Sequence, residues 1–198
     1  MALSDSEWFK LNNISQSLLE VDPILATLMP LPERLLREEQ GTVMKALVVY
    51  DSGFGNTKSI AEAIAAGLNS LNAKVLPVGQ LRPEDICSGD LLVVGSPING
   101  WRPTQKTMEA LSRLGSRGLS GVVAAGFDTR VKLFIHGDAA KKITKTLKDA
   151  GASIVGKPMA FYVKGTEGPL LDGETSRATA WGEELLAIAK EYGTQRSA

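Results

Sequence analysis

From residue 44 onward, the chain alternates between short apolar runs and stretches with helical periodicity. The first run, residues 46–50, is continuous in apolar residues, as expected of a strand that is covered on both faces. The connections between the runs are too short for separate domains, so the alternation predicts a parallel sheet with helices on both faces. The predicted strands are 46–50, 74–78, 91–95, 122–126 and a fifth strand, 153–155 with 160–163, that is interrupted at Pro158; the predicted helices are 57–71, 104–113, 138–150 and 174–192.

Residues 1–43 have a different pattern, without an obvious strand and with three prolines between short helical stretches. We therefore expect two parts, a helical N-terminal arm over residues 1–43 and an α/β domain over residues 44–198. The arm carries many large apolar side chains, which short helices cannot bury by themselves. We expect it to pack on its own domain, on a second copy of the chain in a homodimer, or on another protein.

The charge and the cysteine count exclude several classes of function. Lys and Arg total 22 and Asp and Glu total 22, so the formal net charge is zero and we expect no nucleic-acid partner. One cysteine, Cys87, and one histidine, His136, exclude an intrachain disulfide, a cysteine-ligated iron–sulfur cluster and a Cys/His zinc site within one chain. So few cysteines fit a reducing compartment, and we expect a cytoplasmic protein. The polar N-terminus and the lack of an apolar run of about 18 residues predict neither a signal peptide nor a membrane span.

The loop after the first predicted strand, residues 51–57, leads into a helix and is rich in glycine and hydroxyl groups. Glycine allows close approach of the backbone, and a helix start adds N–H groups and the positive end of the helix dipole. These features predict a phosphate-binding loop, with an ordinary strand-to-helix turn as the alternative. The dinucleotide fingerprint would need glycine at Lys58, and a P-loop would need glycine at Thr57, so neither motif is present.

The run from Val48 to Thr57 closely resembles the signature of flavodoxins, in which an apolar pair and an aromatic residue lead into these Ser/Thr and Gly spacings. The resemblance covers residues 45–192 in element order. It implies a doubly wound five-stranded parallel sheet of the short-chain type, with strand order 2-1-3-4-5, and a non-covalently bound FMN whose phosphate lies in this loop. The phosphate contacts that it implies are Ser52, Gly55, Asn56 and Thr57, with Gly53 and Phe54 contributing backbone amides.

The loop after the third strand suits a flavin ring. Trp101 offers an aromatic face for stacking, and Asn99-Gly100 permits positive φ. In flavodoxins, a peptide flip at such a turn stabilises the semiquinone. A surface turn with a packed tryptophan is the alternative. The implied contacts of this loop are Pro97, Ile98, Asn99, Gly100 and Trp101.

The run after the fourth predicted strand resembles the flavin-flanking loop of a flavodoxin subgroup with the same Phe-Asp-Thr-Arg sequence. Its implied contacts are Phe127, Asp128, Thr129 and Arg130, with the backbone of Asp128 and Thr129 at the polar edge of the flavin. The alternatives are that Phe127 points into the core and that Arg130 forms a surface salt bridge with Asp128.

Three further features of the sequence concern the surroundings of the flavin. Tyrosine is missing where a second stacking aromatic is expected, so one flavin face is expected to be more open. We expect His136 to be a surface group, with a proton donor close to the flavin as the alternative, and the segment 165–173 to be structural.

The resemblance implies an electron carrier in which FMN cycles between its oxidised, semiquinone and hydroquinone states. The partners would be redox proteins or a small-molecule electron acceptor, and neither a catalytic residue nor a metal is needed. An NAD(P)H-dependent quinone or small-molecule reductase is the alternative enzyme, and a module that binds a partner through the arm is the third hypothesis. The sequence has no nicotinamide motif, which favours the carrier, although the zero net charge weakens long-range steering of partners.

Overall fold

In the computed structural model, which describes residues 44–132 and 137–196, the apolar runs form strands and the periodic stretches form helices. The strands are β1 (Ala46–Tyr50), β2 (Lys74–Pro77), β3 (Leu91–Pro97), β4 (Val123–Val131), β5 (Ser153–Ile154) and β6 (Met159–Val163). The helices are α1 (Asn56–Gly67), α2 (Gln105–Arg117), α3 (Ala139–Asp149) and α4 (Glu174–Arg196), with three short 3₁₀ turns at Asn69–Leu71, Val78–Gln80 and Pro83–Asp85.

The named strands pair in parallel in the order β2-β1-β3-β4-β5, and β6 also pairs with β4. β5 lies beside the start of β4, where Val123 is opposite Ser153, and β6 lies beside its end, where Thr129 is opposite Phe161. The two pieces therefore occupy one position in the sheet, interrupted around Pro158. The predicted strand order 2-1-3-4-5 is confirmed.

Helices cover both faces of this sheet because successive side chains of a strand point to opposite sides. Val48 and Val93 face one side, where they pack among residues of α1 and α4. Val49 and Val94 face the other side and pack among residues of α2 and α3. All four valines are buried. The double layer of helices confirms the doubly wound architecture.

The fourth strand is longer than predicted: β4 continues through Val131 and does not end at Gly126. The run from Phe127 to Val131 is paired with β6, and its first three residues are also paired with β3, so it is strand and not loop. An acid and a base at alternate positions look like a loop in the sequence. They are tolerated inside the sheet because they form a buried ion pair with each other.

Some predictions fall outside the described residues. These are the helical arm over residues 1–43 and the surface position of His136. Among the helices that are described, none is long and apolar enough to span a membrane.

Candidate functional site

A cavity of about 620 Å³ opens at the carboxyl edge of the sheet, where β1, β3, β4 and β6 end. This is the edge at which open α/β sheets bind ligands, and the volume is typical of a cofactor site. The lining residues that were predicted from the sequence are Ser52, Gly53, Phe54, Asn56, Thr57, Pro97, Ile98, Asn99, Gly100, Trp101, Thr129 and Arg130. The lining residues that were not predicted are Asp51, Thr104, Lys106, Val131, Gly137, Val163 and Thr166.

The loop from β1 to α1 is built to receive an anion. Gly55 adopts the left-handed conformation, with φ 85°, and begins α1 without a side-chain cap among the described residues. The first turn of α1 contains no acidic residue. The uncapped N–H groups and the helix dipole therefore favour a negative group at this end of the cavity.

Thr57 lies under this loop rather than on its surface. Its side chain is buried, and its Oγ1 lies 2.8 Å from Oγ1 of Thr129 on β4. A hydroxyl has one proton and can accept hydrogen bonds as well. If Thr129 donates, the Thr57 hydroxyl keeps its own proton for a ligand in the cavity.

Asn56 is held by a distant part of the chain. Its side-chain Nδ2 donates a 2.9 Å hydrogen bond to the backbone carbonyl of Glu167, which follows β6. One of the two side-chain N–H donors of Asn56 is therefore engaged before any ligand binds. The sequence predicted Asn56 as a phosphate contact, but the local motif contains no signal for this tether.

The turn after β3 is a two-residue hairpin. Asn99 and Arg102 exchange backbone hydrogen bonds of 2.9 and 3.3 Å, and Gly100 and Trp101 between them have φ 53° and 73°. Positive φ at both central residues is the property of a type I′ turn. The sequence permits positive φ at Asn99-Gly100, and the structure has it at Gly100 and at Trp101, a residue type that rarely adopts it.

This turn is supported by the segment that leads into α3. A Cβ at Gly137, which precedes α3, would collide with the backbone of Trp101. The start of α3 therefore packs directly on the strained residue of the turn, and only glycine leaves the space.

Two aromatic side chains border the cavity with their rings in solvent. Phe54 is 59% exposed and Trp101 is 61% exposed, and they are the large hydrophobic residues that stand out as exposed among those described. Exposed rings at the mouth of a cavity suit a planar aromatic ligand, which they can cover by stacking.

An ion-pair network adjoins the cavity, which Arg130 lines. Arg130 binds Asp128 through two hydrogen bonds, one of 2.6 Å from Nε to Oδ1 and one from Nη2 to Oδ2. Asp128 also accepts a 2.7 Å bond from the Ala140 amide, and Arg130 Nη2 lies 3.4 Å from Asp138, the N-cap of α3. The network thus ties the start of α3 to the end of β4.

Burial governs the pKa values in this network. Desolvation raises the pKa of Asp128, and the hydrogen bonds from Arg130 and the Ala140 amide oppose that rise. Desolvation also acts to raise the pKa of Asp138, but the Lys141 amide and side chain, together with Arg130, outweigh it and lower that pKa.

The structure places the side chains of two predicted contacts away from the cavity. Phe127 is fully buried, with its ring in edge contact with those of Phe161 and Trp181 at centroid distances of 5.9 and 6.3 Å. Asp128 is also fully buried and bound in the ion pair. Neither lines the cavity, which β4 reaches only with its last residues, Thr129, Arg130 and Val131. The backbone of Asp128, through which the contact was expected, is paired with β3 and β6 in the sheet. Gly55 shapes the loop without lining the cavity.

Some of the unpredicted lining residues had a signal in the sequence. Val131 and Val163 end strands, and the rule that ligands bind at carboxyl ends applies to them as it does to the loops after β1 and β3. Thr166 had no such signal, because the segment after β6 resembles an ordinary connection to the last helix.

Residues 48–181 match the family model described as Flavodoxin. A flavodoxin of Aquifex aeolicus is 34% identical over 92 residues, which are 43% of this chain and 49% of that protein, so the chain matches about half the length of this relative. A solved structure of a flavodoxin from the domain Archaea superimposes with a TM-score of 0.63 at 23% identity, covering 74% of this chain and 99% of that one. The flavodiiron protein of Giardia intestinalis gives 0.63 at 20% identity, covering 82% of this chain and 41% of that one. These structural likenesses are likenesses of fold.

Proposed function

Because the chain belongs to the flavodoxin family, we propose that it holds FMN in the cavity at the carboxyl edge of the sheet and passes electrons between partner molecules. FMN is the cofactor of this family. Bound there, it would supply the electron chemistry, by accepting and releasing one or two electrons.

The observation that carries the proposal is the pairing of an anion site with an aromatic border in one cavity. The uncapped start of α1 at Gly55 favours a phosphate. Trp101 and Phe54 present exposed rings along the same cavity. A ligand that combines a phosphate with a planar ring fits both features, and FMN is such a ligand.

Each part of the chain has a distinct task in this proposal. Ser52, Gly53 and Thr57 bind the phosphate, and the turn from Asn99 to Arg102 positions Trp101 over one face of the ring. That cover excludes water from the face and leaves the rest of the ring edge open to partners. The ion pair of Asp128 and Arg130 holds the neighbouring start of α3 in place.

The partners belong to the proposal as well. They are redox proteins or a small-molecule electron acceptor, and the zero net charge favours partners that dock at short range over partners that are steered from a distance. A homodimer formed through residues 1–43 and a cytoplasmic location, as inferred from the cysteine content, are also part of it.

One experiment separates the carrier from the reductase. The protein is purified, its cofactor is released by denaturation and identified by chromatography, and the visible spectrum is followed during stepwise reduction with and without NAD(P)H. A carrier is expected to contain FMN, to accumulate the half-reduced flavin, and to oxidise NAD(P)H no faster than free FMN does.

Two results would contradict the carrier. Direct passage to the fully reduced flavin, with rapid oxidation of NAD(P)H, would favour the reductase. A protein that takes up no flavin when mixed with FMN would favour a module that binds a partner through residues 1–43.

A further inference from the structure

The chain folds back on itself directly after β6. Val163 and Leu170 form an antiparallel bridge, and the Lys164 amide donates a 2.8 Å hydrogen bond to the Pro169 carbonyl. A further 3.0 Å bond from the Gly168 amide to the Gly165 carbonyl closes the tip. We name residues 164–170 the β6 hairpin. It carries Thr166 to the rim of the cavity.

The tip of the β6 hairpin is fastened to the first residue of α1. Asn56 Nδ2 donates to the Glu167 carbonyl at 2.9 Å, across 111 residues of sequence. Gly168 packs against the same amide group, since a Cβ at this position would lie 2.5 Å from Asn56 Nδ2. Gly168 also has φ 108°, which other residues rarely adopt. The backbone conformation therefore favours glycine, and a Cβ there would also displace the Asn56 amide.

This tether determines which end of the cavity Thr166 serves. Thr166 precedes Glu167, whose carbonyl is bound to the residue that begins α1, so the threonine lies at the end formed by the loop after β1. That end has the uncapped helix start. Glu167 contributes only its backbone carbonyl to the tether, and its exposed side chain does not line the cavity.

We propose that the Thr166 hydroxyl donates a hydrogen bond to the phosphate of the bound flavin nucleotide, so that the phosphate is held from two sides. Asn56 is then a positioning residue. One of its side-chain N–H groups binds the β6 hairpin and so keeps Thr166 over the loop after β1. This inference rests on the proposed function and assigns a binding role to a segment outside the flavodoxin phosphate motif.

The test compares FMN with riboflavin, which lacks the phosphate, by quenching of flavin fluorescence in the apoprotein. Thr166→Val should raise the Kd for FMN about tenfold or more, the loss typical of a hydrogen bond to a charged group. It should leave the Kd for riboflavin unchanged. Thr166→Ser keeps the hydroxyl and should stay close to the wild type. Thr175→Val, at an exposed threonine of α4, is the matched control and should change neither Kd.

A second variant tests the tether at Gly168, which does not itself line the cavity but packs against the Asn56 amide. Gly168→Ala should displace the β6 hairpin from Asn56, weaken FMN binding several-fold, and remove most of the further effect of Thr166→Val. Unfolding by urea checks that the variants are folded.

Two results would overturn the inference while leaving the proposed function intact. Thr166→Val could bind FMN as tightly as the wild type does, or it could lose affinity for FMN and riboflavin equally. A wild-type protein that binds no FMN would contradict the proposed function itself, and the inference with it.

Discussion

Thr57 on α1 and Thr129 on β4 share a hydrogen bond of 2.8 Å between their hydroxyl oxygens, although β3 lies between β1 and β4 in the sheet. The bond joins the proposed phosphate loop to the strand that ends under the cavity. It orients a hydroxyl that the family signature places at the phosphate, so the loop is supported by a side chain outside its own motif.

Replacing Thr57 with valine should therefore weaken FMN binding by about 1–3 kcal/mol, because a hydrogen bond to a charged group is lost. Thr129→Val should cost less, since it removes only the orienting bond. The double variant should lose less than the sum of the two, because both changes break the same arrangement. Calorimetric titration of the four proteins measures this coupling, and strict additivity would show that Thr129 has no orienting role.

Trp101 is expected to stack on the flavin ring although its backbone is strained. Trp101→Ala and Trp101→Gly should both weaken FMN binding by about 1 kcal/mol, because the stacking face is lost. Trp101→Gly should be more stable than Trp101→Ala by about 1 kcal/mol, since glycine accepts φ 73° without strain. FMN titration and urea unfolding give the two quantities. Unchanged affinity in both variants would make Trp101 a merely structural residue.

The buried pair of Asp128 and Arg130 is expected to be critical for folding. Arg130→Met would leave the Asp128 carboxylate buried without its partner, at a cost of about 3–5 kcal/mol. Adding Asp128→Asn to that variant should recover part of the loss, because the uncompensated charge is removed. Urea unfolding monitored by circular dichroism measures both changes. A single variant as stable as the wild type would show that the pair contributes little.

Asp138 makes part of the stability dependent on pH. Its folded-state pKa is lowered, so the stability it contributes is present above the pKa of the unfolded chain and is lost as the pH falls through the lower, folded value. Stability should thus decline below about pH 4. Asp138→Asn keeps a good N-cap and should flatten this decline. Thermal unfolding between pH 7 and pH 2 gives the slopes, and equal slopes in the wild type and Asp138→Asn would contradict the assignment.

The strand order and the two covered faces could be predicted from the sequence because they follow from local patterns. The apolar run at 46–50 and its counterparts at 74–78 and 91–95 each coincide with a strand within two residues. The end of β4 could not be predicted in this way. Asp128 and Arg130 look like loop residues until their pairing with each other is known, and pairing is a property of the folded chain.

The candidate site could be predicted wherever the residues that form one part of it are neighbours in the sequence. The loop at 51–57 is an example, because its glycines and the helix start lie together in sequence. Trp101 was predicted as a ring contact, but its φ of 73° was not, since packing against Gly137 supports a conformation that propensity disfavours. Thr166 was missed because the bond that places it joins residues 111 positions apart.

Binding of FMN in this cavity, with its phosphate at the start of α1, is tested most directly by calorimetric titration of the wild-type apoprotein with FMN and with riboflavin. One FMN is expected to bind per chain, and riboflavin is expected to bind much more weakly, because the start of α1 contacts the phosphate that riboflavin lacks. A truncated chain beginning at Met44 should give the same values, since the lining residues lie between Asp51 and Thr166. Equal affinity for the two flavins, or no binding of FMN, would contradict this mode of binding.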